Sequence, residues 1–209
     1  MMLIGQFDSP FTRRVAITMR LYGMPFDHRP WSVFGDADRI SAHNPLLRVP
    51  TLVLDDGIAL VDSQAILDHL DGLVEPGRRL MPSEGHARAE AMRICAVACG
   101  IGDKAVALFY ELRLHEAPSA FYVERCHRQI RDGLVWLEQA YGERRGPFWA
   151  GETLSQPDIT VAAILRHLGE AHPDPARLDG YPRLAALAAM LEATEIFREI
   201  SQPFVAPSA

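Results

Sequence analysis

Residues 44–70 read NPLLRVPTLVLDDGIALVDSQAILDHL, and the order of signals in this stretch decides the fold. Two short apolar runs, TLVL (51–54) and IALV (58–61), flank Asp56-Gly57, a pair that suits the tight turn of a β-hairpin. Pro50 stands directly before the first run. It has no N–H to give to a ladder, so a strand must begin at it. The Val49-Pro50 bond can be trans, the ordinary structural arrangement. If it is cis, the chain turns sharply and presents the Val49 N–H and C=O outward. After the hairpin, Asp62 or Ser63 is placed to cap a helix whose Ile66, Leu67, Leu70 and Leu73 share one face.

Working outward toward the N-terminus, MLIGQF (2–7) reads as a buried strand and FTRRVAITMRLYG (11–23) as a helix ended by Gly23. PFDHRP (25–30) is a short extended segment, and GDADRISAHNP (35–45) is loop with one weak helix. The order is β-α-β-α-β-β-α, with a parallel pair from the first crossover and an antiparallel edge from the hairpin. Downstream, VEPGRRLMPSEG (74–85) breaks the periodicity with two prolines and two glycines and reads as a linker. Beyond it no strand signal of any strength is found. Helical patterns run over 83–115, 119–142 and 155–169, with one or two shorter ones over 182–200. The expected organisation is a small α/β domain over 1–75, a linker over 76–82 and an all-helical domain over 83–209.

Composition narrows the function. The chain has 209 residues, 48% hydrophobic and 23% charged, with a net charge of −6. Acidic residues outnumber basic ones both before and after residue 80, so neither nucleic acid nor an anionic membrane is the expected partner. Lys104 is the one lysine, and the arginine excess reads as a genome bias. The start, MMLIGQFD, lacks a basic region and a long apolar core, so no signal peptide is expected. No apolar stretch reaches the roughly 18 residues of a membrane span. Cys95, Cys99 and Cys126 have no framework spacing, which suits a reducing cytoplasm. Cys95 and Cys99 lie one helical turn apart and read as buried small residues more readily than as metal ligands.

Two helix starts carry signals. In ETLSQPDITVAAIL (152–165), Ser155 and Asp158 resemble a capping box, with Leu154 and Ile159 placed as a hydrophobic staple. This is a folding signal that needs no ligand. In FDSPFTRRV (7–15), Ser9 is an N-cap and Pro10 the first helical residue, but the same hydroxyl can also face a ligand. The polar pair Asp62-Ser63 is open to the same double reading. It can cap its helix, or it can hold a ligand's ammonium and carboxylate where free N–H groups converge.

S-P-F-x-x-R at 9–14, N-P-x-x-R-V-P at 44–50 and D-S-x-x-I at 62–66 together resemble the cytosolic glutathione transferases. The likeness covers essentially the whole chain. It is greatest to bacterial members with Ser-Pro at the first helix, a feature shared with the plant tau-type enzymes. The resemblance implies a thioredoxin-like domain followed by a helical domain, glutathione as co-substrate, no metal, and a cytoplasmic homodimer. It further implies that Ser9 donates a hydrogen bond to the glutathione sulfur and that Arg48 meets the glycyl carboxylate. Val49, before a cis Pro50, would pair through its backbone with the cysteinyl moiety, and Asp62 and Ser63 would hold the γ-glutamyl ammonium and carboxylate. Arg39 could sit near the glycyl end. The chain departs from the family in Asp62, where Glu is usual, and in Pro157, where Ala is usual.

The chemistry fits these residue types. A thiol of pKa about 8.5 is mostly protonated at neutral pH, and the thiolate is the nucleophile. An O–H donor at a helix N-terminus stabilises the thiolate. The Ser9 oxygen can accept from the Thr12 N–H while its own proton points at sulfur, so cap and catalyst can be one atom. Thr12, a turn further in, is the other candidate for the sulfur. The SPFT stretch has no cysteine, which argues against a mixed disulfide with glutathione.

The second substrate would be a small hydrophobic electrophile bound between the domains. Phe7, Phe11, Phe34, Tyr110 and Leu114 are candidates by position, although Phe11 and Tyr110 serve equally well as core. Trp31, Trp136 and Trp149 read as core or interface anchors. The expected activity is glutathione conjugation, with a possible glutathione peroxidase side activity. The rival is a transferase-like protein that binds other proteins and has lost chemistry, as in the stringent-starvation proteins. A protein of that kind should have lost glutathione ligands.

Overall fold

The computed structural model describes residues 1–172 and 176–206. Residues 173–175 and 207–209 of the expected helical domain lie outside the described residues. Four short strands form one sheet: β1 (Met2–Ile4), β2 (Asp27–Arg29), β3 (Thr51–Val53) and β4 (Ala59–Val61), in the order β2-β1-β3-β4. β1 runs parallel to β2 with Leu3 opposite His28, and antiparallel to β3 with Leu3 opposite Leu52. β3 and β4 are the expected hairpin, with Gly57 at its turn at φ 90°. The parallel pair and the antiparallel edge both lie where the hydrophobic pattern puts them.

The first strand is shorter than the apolar run MLIGQF. It ends at Ile4 because Gly5 takes φ +130°, a conformation open to glycine and costly for other residues. The chain then enters α1 (Pro10–Tyr22), which ends in a Schellman arrangement. There Gly23 N–H donates to Arg20 C=O and Met24 N–H to Met19 C=O. The weak helix is α2 (Ala37–Ser41), and α3 (Ser63–Gly72) follows the hairpin. Leu3, Met19, Leu52, Ile66, Leu67 and Leu70 are buried between sheet and helices.

The remainder is helical: α4 (Gly85–Leu114), α5 (Ala120–Gly142), α6 (Gln156–Ala171), α7 (Ala176–Asp179), α8 (Pro182–Glu192) and α9 (Glu195–Glu199). α7 and a 3₁₀ turn at Pro76–Arg78 are too short to leave a periodic signal. α6 is the central rod. Its residues Ile159 to Leu165 are buried all round, and it packs against α4, α1 and α8. The α4–α6 crossing is close at Gly102, where a Cβ would lie 2.4 Å from Ile164 Cδ1. Trp136 and Trp149 pack against this core.

The capping box forms at the start of α6. The Asp158 carboxylate, fully buried, accepts from the Ser155 N–H at 2.9 Å, from the Ser155 hydroxyl, and from the Trp149 N–H at 3.0 Å.

The segment between α3 and α4 is tied down. Asp71 on α3 accepts from the Tyr22 hydroxyl and from the N–H groups of Leu80 and Met81. Leu80 C=O in turn accepts from Gln156 N–H at 2.9 Å. A second tie is the buried Arg13. It donates to both Glu192 oxygens and to the carbonyls of Ile200 and Phe197, which fixes α1 against the end of the chain. Cys95 and Cys126 are buried and Cys99 is half-buried, and none is in a disulfide. Among the described residues no helix is long and apolar enough to cross a membrane, and no group of His, Cys, Asp and Glu side chains is placed to hold a metal.

Candidate functional site

Ser9 is the N-cap of α1. Its backbone is extended (φ −69°, ψ 119°), its Oγ accepts from Thr12 N–H at 3.3 Å, and Pro10 is the first helical residue. Among the described residues the Ser9 hydroxyl proton has no acceptor. It faces a cavity of about 530 Å³ between the α/β layer and the helical layer. Thr12 does not line this cavity. It is fully buried, and its Oγ1 would lie 2.4 Å from a Cβ on Gly5, whose other near neighbour would be Val49 Cβ at 2.8 Å. Gly5 therefore holds the Ser9 helix and the Val49 loop together. Gly5→Ala should move both and should lower stability by about 2–4 kcal/mol. A shift in thermal midpoint checks this, and an unchanged midpoint would show that the contact can relax.

Val49 and Arg48 line the same cavity as Ser9. The Val49-Pro50 bond is cis, and the Val49 N–H and C=O have no hydrogen-bond partner among the described residues. Arg48 is largely exposed, with Nη2 3.4 Å from Asp103 on α4. An exposed pair of this length is weak, so the guanidinium is free to meet an incoming carboxylate.

Asp62 and Ser63 do not line this cavity. Asp62 is the cap of α3: its Oδ1 accepts from Gln64 N–H at 2.7 Å. Its φ of 71° is a strained value for a residue with a side chain, at a cost of about 1–3 kcal/mol. Strain of this kind persists only where the surroundings impose it. Ser63 is buried, and its Oγ accepts from Arg14 Nε at 3.2 Å. Arg14 is the arginine of the S-P-F-x-x-R motif, to which sequence reasoning gave no role. It is 1% exposed and bonds Thr160 at 3.1 Å and Gln64 at 3.4 Å as well as Ser63. Among the described residues it has no carboxylate partner. A cation this buried is stabilised by an anion brought close to it.

Of the five apolar candidates, Phe11, Phe34 and Tyr110 line the cavity, with Phe34 edge-on to Tyr110 at 5.4 Å. Phe7 lies off it, stacked on His28 at 3.9 Å, because the turn at Gly5 points it back to the sheet. Leu114, the last residue of α4, is exposed beyond the cavity's reach. Trp31 is a wall residue rather than a core anchor, with Arg39 over its ring. Arg39 itself pairs with Asp36 and does not line the cavity.

The wall also includes residues that no sequence signal announced: Asp8, Phe109, His167 and Phe204. Burial raises the Asp8 carboxyl above its usual range, opposed by N–H donors such as that of Val205. Burial pushes the His167 imidazole down to about 4, opposed by the Asp8 carbonyl. Between pH 6.5 and 4, then, unfolded His167 binds a proton that the folded protein refuses. Stability should fall as pH drops through this window, by up to about 3 kcal/mol. Asp8 and Asp158, with raised carboxyls, act in the opposite sense. The readout is therefore the difference from His167→Gln in urea unfolding at pH 7 and 4.5. Equal losses in the two proteins would contradict the assignment.

A four-stranded mixed sheet with a cis-proline loop, joined to a helical bundle across a cleft, defines a thioredoxin-like domain with an all-helical partner. Comparison with known families identifies the two halves. Residues 3–78 match the glutathione S-transferase N-terminal domain and residues 120–189 the glutathione S-transferase C-terminal domain. Together these cover more than half of the sequence, and the chain belongs to the glutathione S-transferase superfamily. A glutathione S-transferase from Methylobacterium radiotolerans, solved in complex with glutathione sulfonate, superposes with a TM-score of 0.89 at 28% identity, covering 100% of this chain and 99% of that one. One from Methylobacillus flagellatus with glutathione bound gives 0.88 at 27% identity, over 96% and 98%. Among curated relatives, a probable maleylacetoacetate isomerase of Drosophila melanogaster is 26% identical over 94% of this chain and 85% of its own length.

Proposed function

We propose that residues 1–75 bind reduced glutathione and that the cavity they share with residues 83–209 receives a small hydrophobic electrophile, which the glutathione thiolate attacks. The observation that carries this reading is the Ser9 hydroxyl. It already accepts a helix N–H, it has no acceptor of its own among the described residues, and it lines the cavity at the N-terminus of α1. A sulfur placed there gains one O–H hydrogen bond and the positive end of a 13-residue helix. Both favour S⁻ over S–H. The thiol proton leaves to solvent, the C–S bond forms, and the electrophile's leaving group departs or its double bond takes up the electron pair. Holding both reactants in one cleft supplies the rest of the acceleration.

The other ligands follow from the same placement. The Val49 backbone would pair with the cysteinyl amide, Arg48 would bind the glycyl carboxylate, and Ser63 would bind the γ-glutamyl carboxylate where Arg14 lacks an anion. Asp62 would take the ammonium through its Oδ2. A homodimer completes the proposal. All of these groups are of the required type, which favours an enzyme over a partner-binding protein that has lost chemistry.

Calorimetric titration with reduced glutathione near pH 6 and near pH 8 tests the reading. Saturable binding with proton release at the lower pH is expected, and no binding at millimolar glutathione would refute it. The Drosophila relative favours a second reading, a glutathione-dependent isomerase of a small unsaturated acid. Thiol consumption separates the two, since a transferase uses one thiol per turnover and an isomerase returns it.

A further inference from the structure

One residue of the cavity wall, His167, has a buried ring nitrogen with no partner among the described residues. His167, on α6, is 6% exposed. Its Nδ1 lies 3.1 Å from the Asp8 carbonyl. A carbonyl only accepts, so Nδ1 carries the hydrogen, and in the neutral ring Nε2 is a bare acceptor. That Nε2 is buried and has no partner among the described residues, although buried polar atoms are as a rule paired. Among the described residues no donor is hydrogen-bonded to it. Phe204 stands edge-on to the imidazole at 5.5 Å and to Phe109 at 5.1 Å. Phe204 comes from the last described segment, which is held by two hydrogen bonds: Val205 N–H to Asp8 Oδ2 at 3.0 Å and Phe7 N–H to Gln202 Oε1 at 3.2 Å.

We infer that His167 is a specificity-determining residue of the second-substrate cavity, its Nε2 accepting a hydrogen bond from the hydroxyl or N–H of a small aromatic ligand that packs against the Phe109–Phe204 pair on the cavity wall. The inference rests on the transferase reading for the role of the cavity. The donor preference itself is a binding property and is measurable without turnover. A site with an acceptor to satisfy rejects the analogue that lacks the donor, because the acceptor then stays unpaired.

The test is the binding of para-ethylphenol and its isostere para-ethyltoluene to the full-length protein, followed by tryptophan fluorescence, since Trp31 lies on the cavity wall. The ratio of the two dissociation constants in the wild type is compared with that in His167→Phe, which keeps a ring and loses the acceptor, and in His167→Gln, which keeps an acceptor. The preference for the phenol should fall about fivefold to tenfold in His167→Phe and survive in His167→Gln. Should the phenylalanine variant fail to fold, the wild-type protein suffices. The ¹⁵N resonance of Nε2 should move on saturation with the phenol and stay in place with the toluene analogue. A ratio common to all three proteins, an unmoved resonance, or no binding of either probe at millimolar concentration overturns the inference. Parallel glutathione titration separates the two readings. A donor preference without glutathione binding rejects the transferase alone, and turnover with a flat ratio rejects the role of His167 alone.

Discussion

Ser9→Ala should lower kcat with an activated aryl chloride by about 100-fold, the usual cost of removing one donor aimed at a developing anion. The glutathione dissociation constant should change by less than about threefold, because the hydroxyl bonds the sulfur most strongly once it is charged. The thiolate ultraviolet absorbance of bound glutathione should then appear at higher pH than in the wild type. The cap is lost at the same time, since Ser9 Oγ accepts the Thr12 N–H, and stability should drop by about 1 kcal/mol. These two effects are separable. Ser9→Gly, which costs a cap only a few tenths of a kcal/mol, should lose the same turnover with less loss of stability. If both variants lose activity only in proportion to unfolding, Ser9 is a cap and nothing more.

The largest stability effect should come from Asp158→Ala. Its carboxylate sits at zero exposure and takes hydrogens from Ser155 N–H, the Ser155 hydroxyl and Trp149 N–H. Burial disfavours the charge, and the hydrogen bonds from Ser155 and Trp149 oppose that. Removing the acceptor strands three donors inside the protein at the start of the helix on which α1, α4 and α8 all pack. A loss of about 3–5 kcal/mol is expected, which for a chain of this size is about 10 °C in thermal midpoint. Ser155→Ala, which leaves the carboxylate and its bond to Trp149, should cost only about 1 kcal/mol. Urea unfolding of the two variants orders them, and equal losses would mean that the hydroxyl rather than the carboxylate holds the corner.

What was legible in the sequence was local. Asp56-Gly57 between two apolar runs declares a hairpin because the turn needs residues that tolerate positive φ, and the structure has it at Gly57. Gly23 declares the end of α1 for the same reason. Ser155 and Asp158 declare the start of α6 because two orphan backbone groups are satisfied within four residues of chain. The MLIGQF run misleads on length: hydrophobicity continues through Phe7, whereas the backbone turns away at Gly5. The cap at Asp62-Ser63 resolves to Asp62, whose side chain reaches Gln64 N–H while that of Ser63 is taken up by Arg14.

The candidate site was legible only in part. Short motifs name Ser9, Val49 and Asp62 because backbone geometry at a helix start or before a proline is set by a few neighbouring residues. Their assembly is a matter of long-range packing. Arg14 becomes a buried cation only when Ser63 and Thr160, from α3 and α6, close over it. Trp31 reaches the cavity because the loop before α2 carries it there.

By itself the sequence determined the order of the strands and of the longer helices, several of the caps that start and stop them, and the residue types of the candidate site, since each depends on interactions within one or two turns of chain. Only the tertiary structure decided which of those residues share a cavity and what the far wall of that cavity is made of. His167 and Phe204 face each other from α6 and from the end of the chain, against Asp8 from the loop before α1. No local pattern encodes that meeting, because it comes from burying apolar surface between layers far apart in sequence.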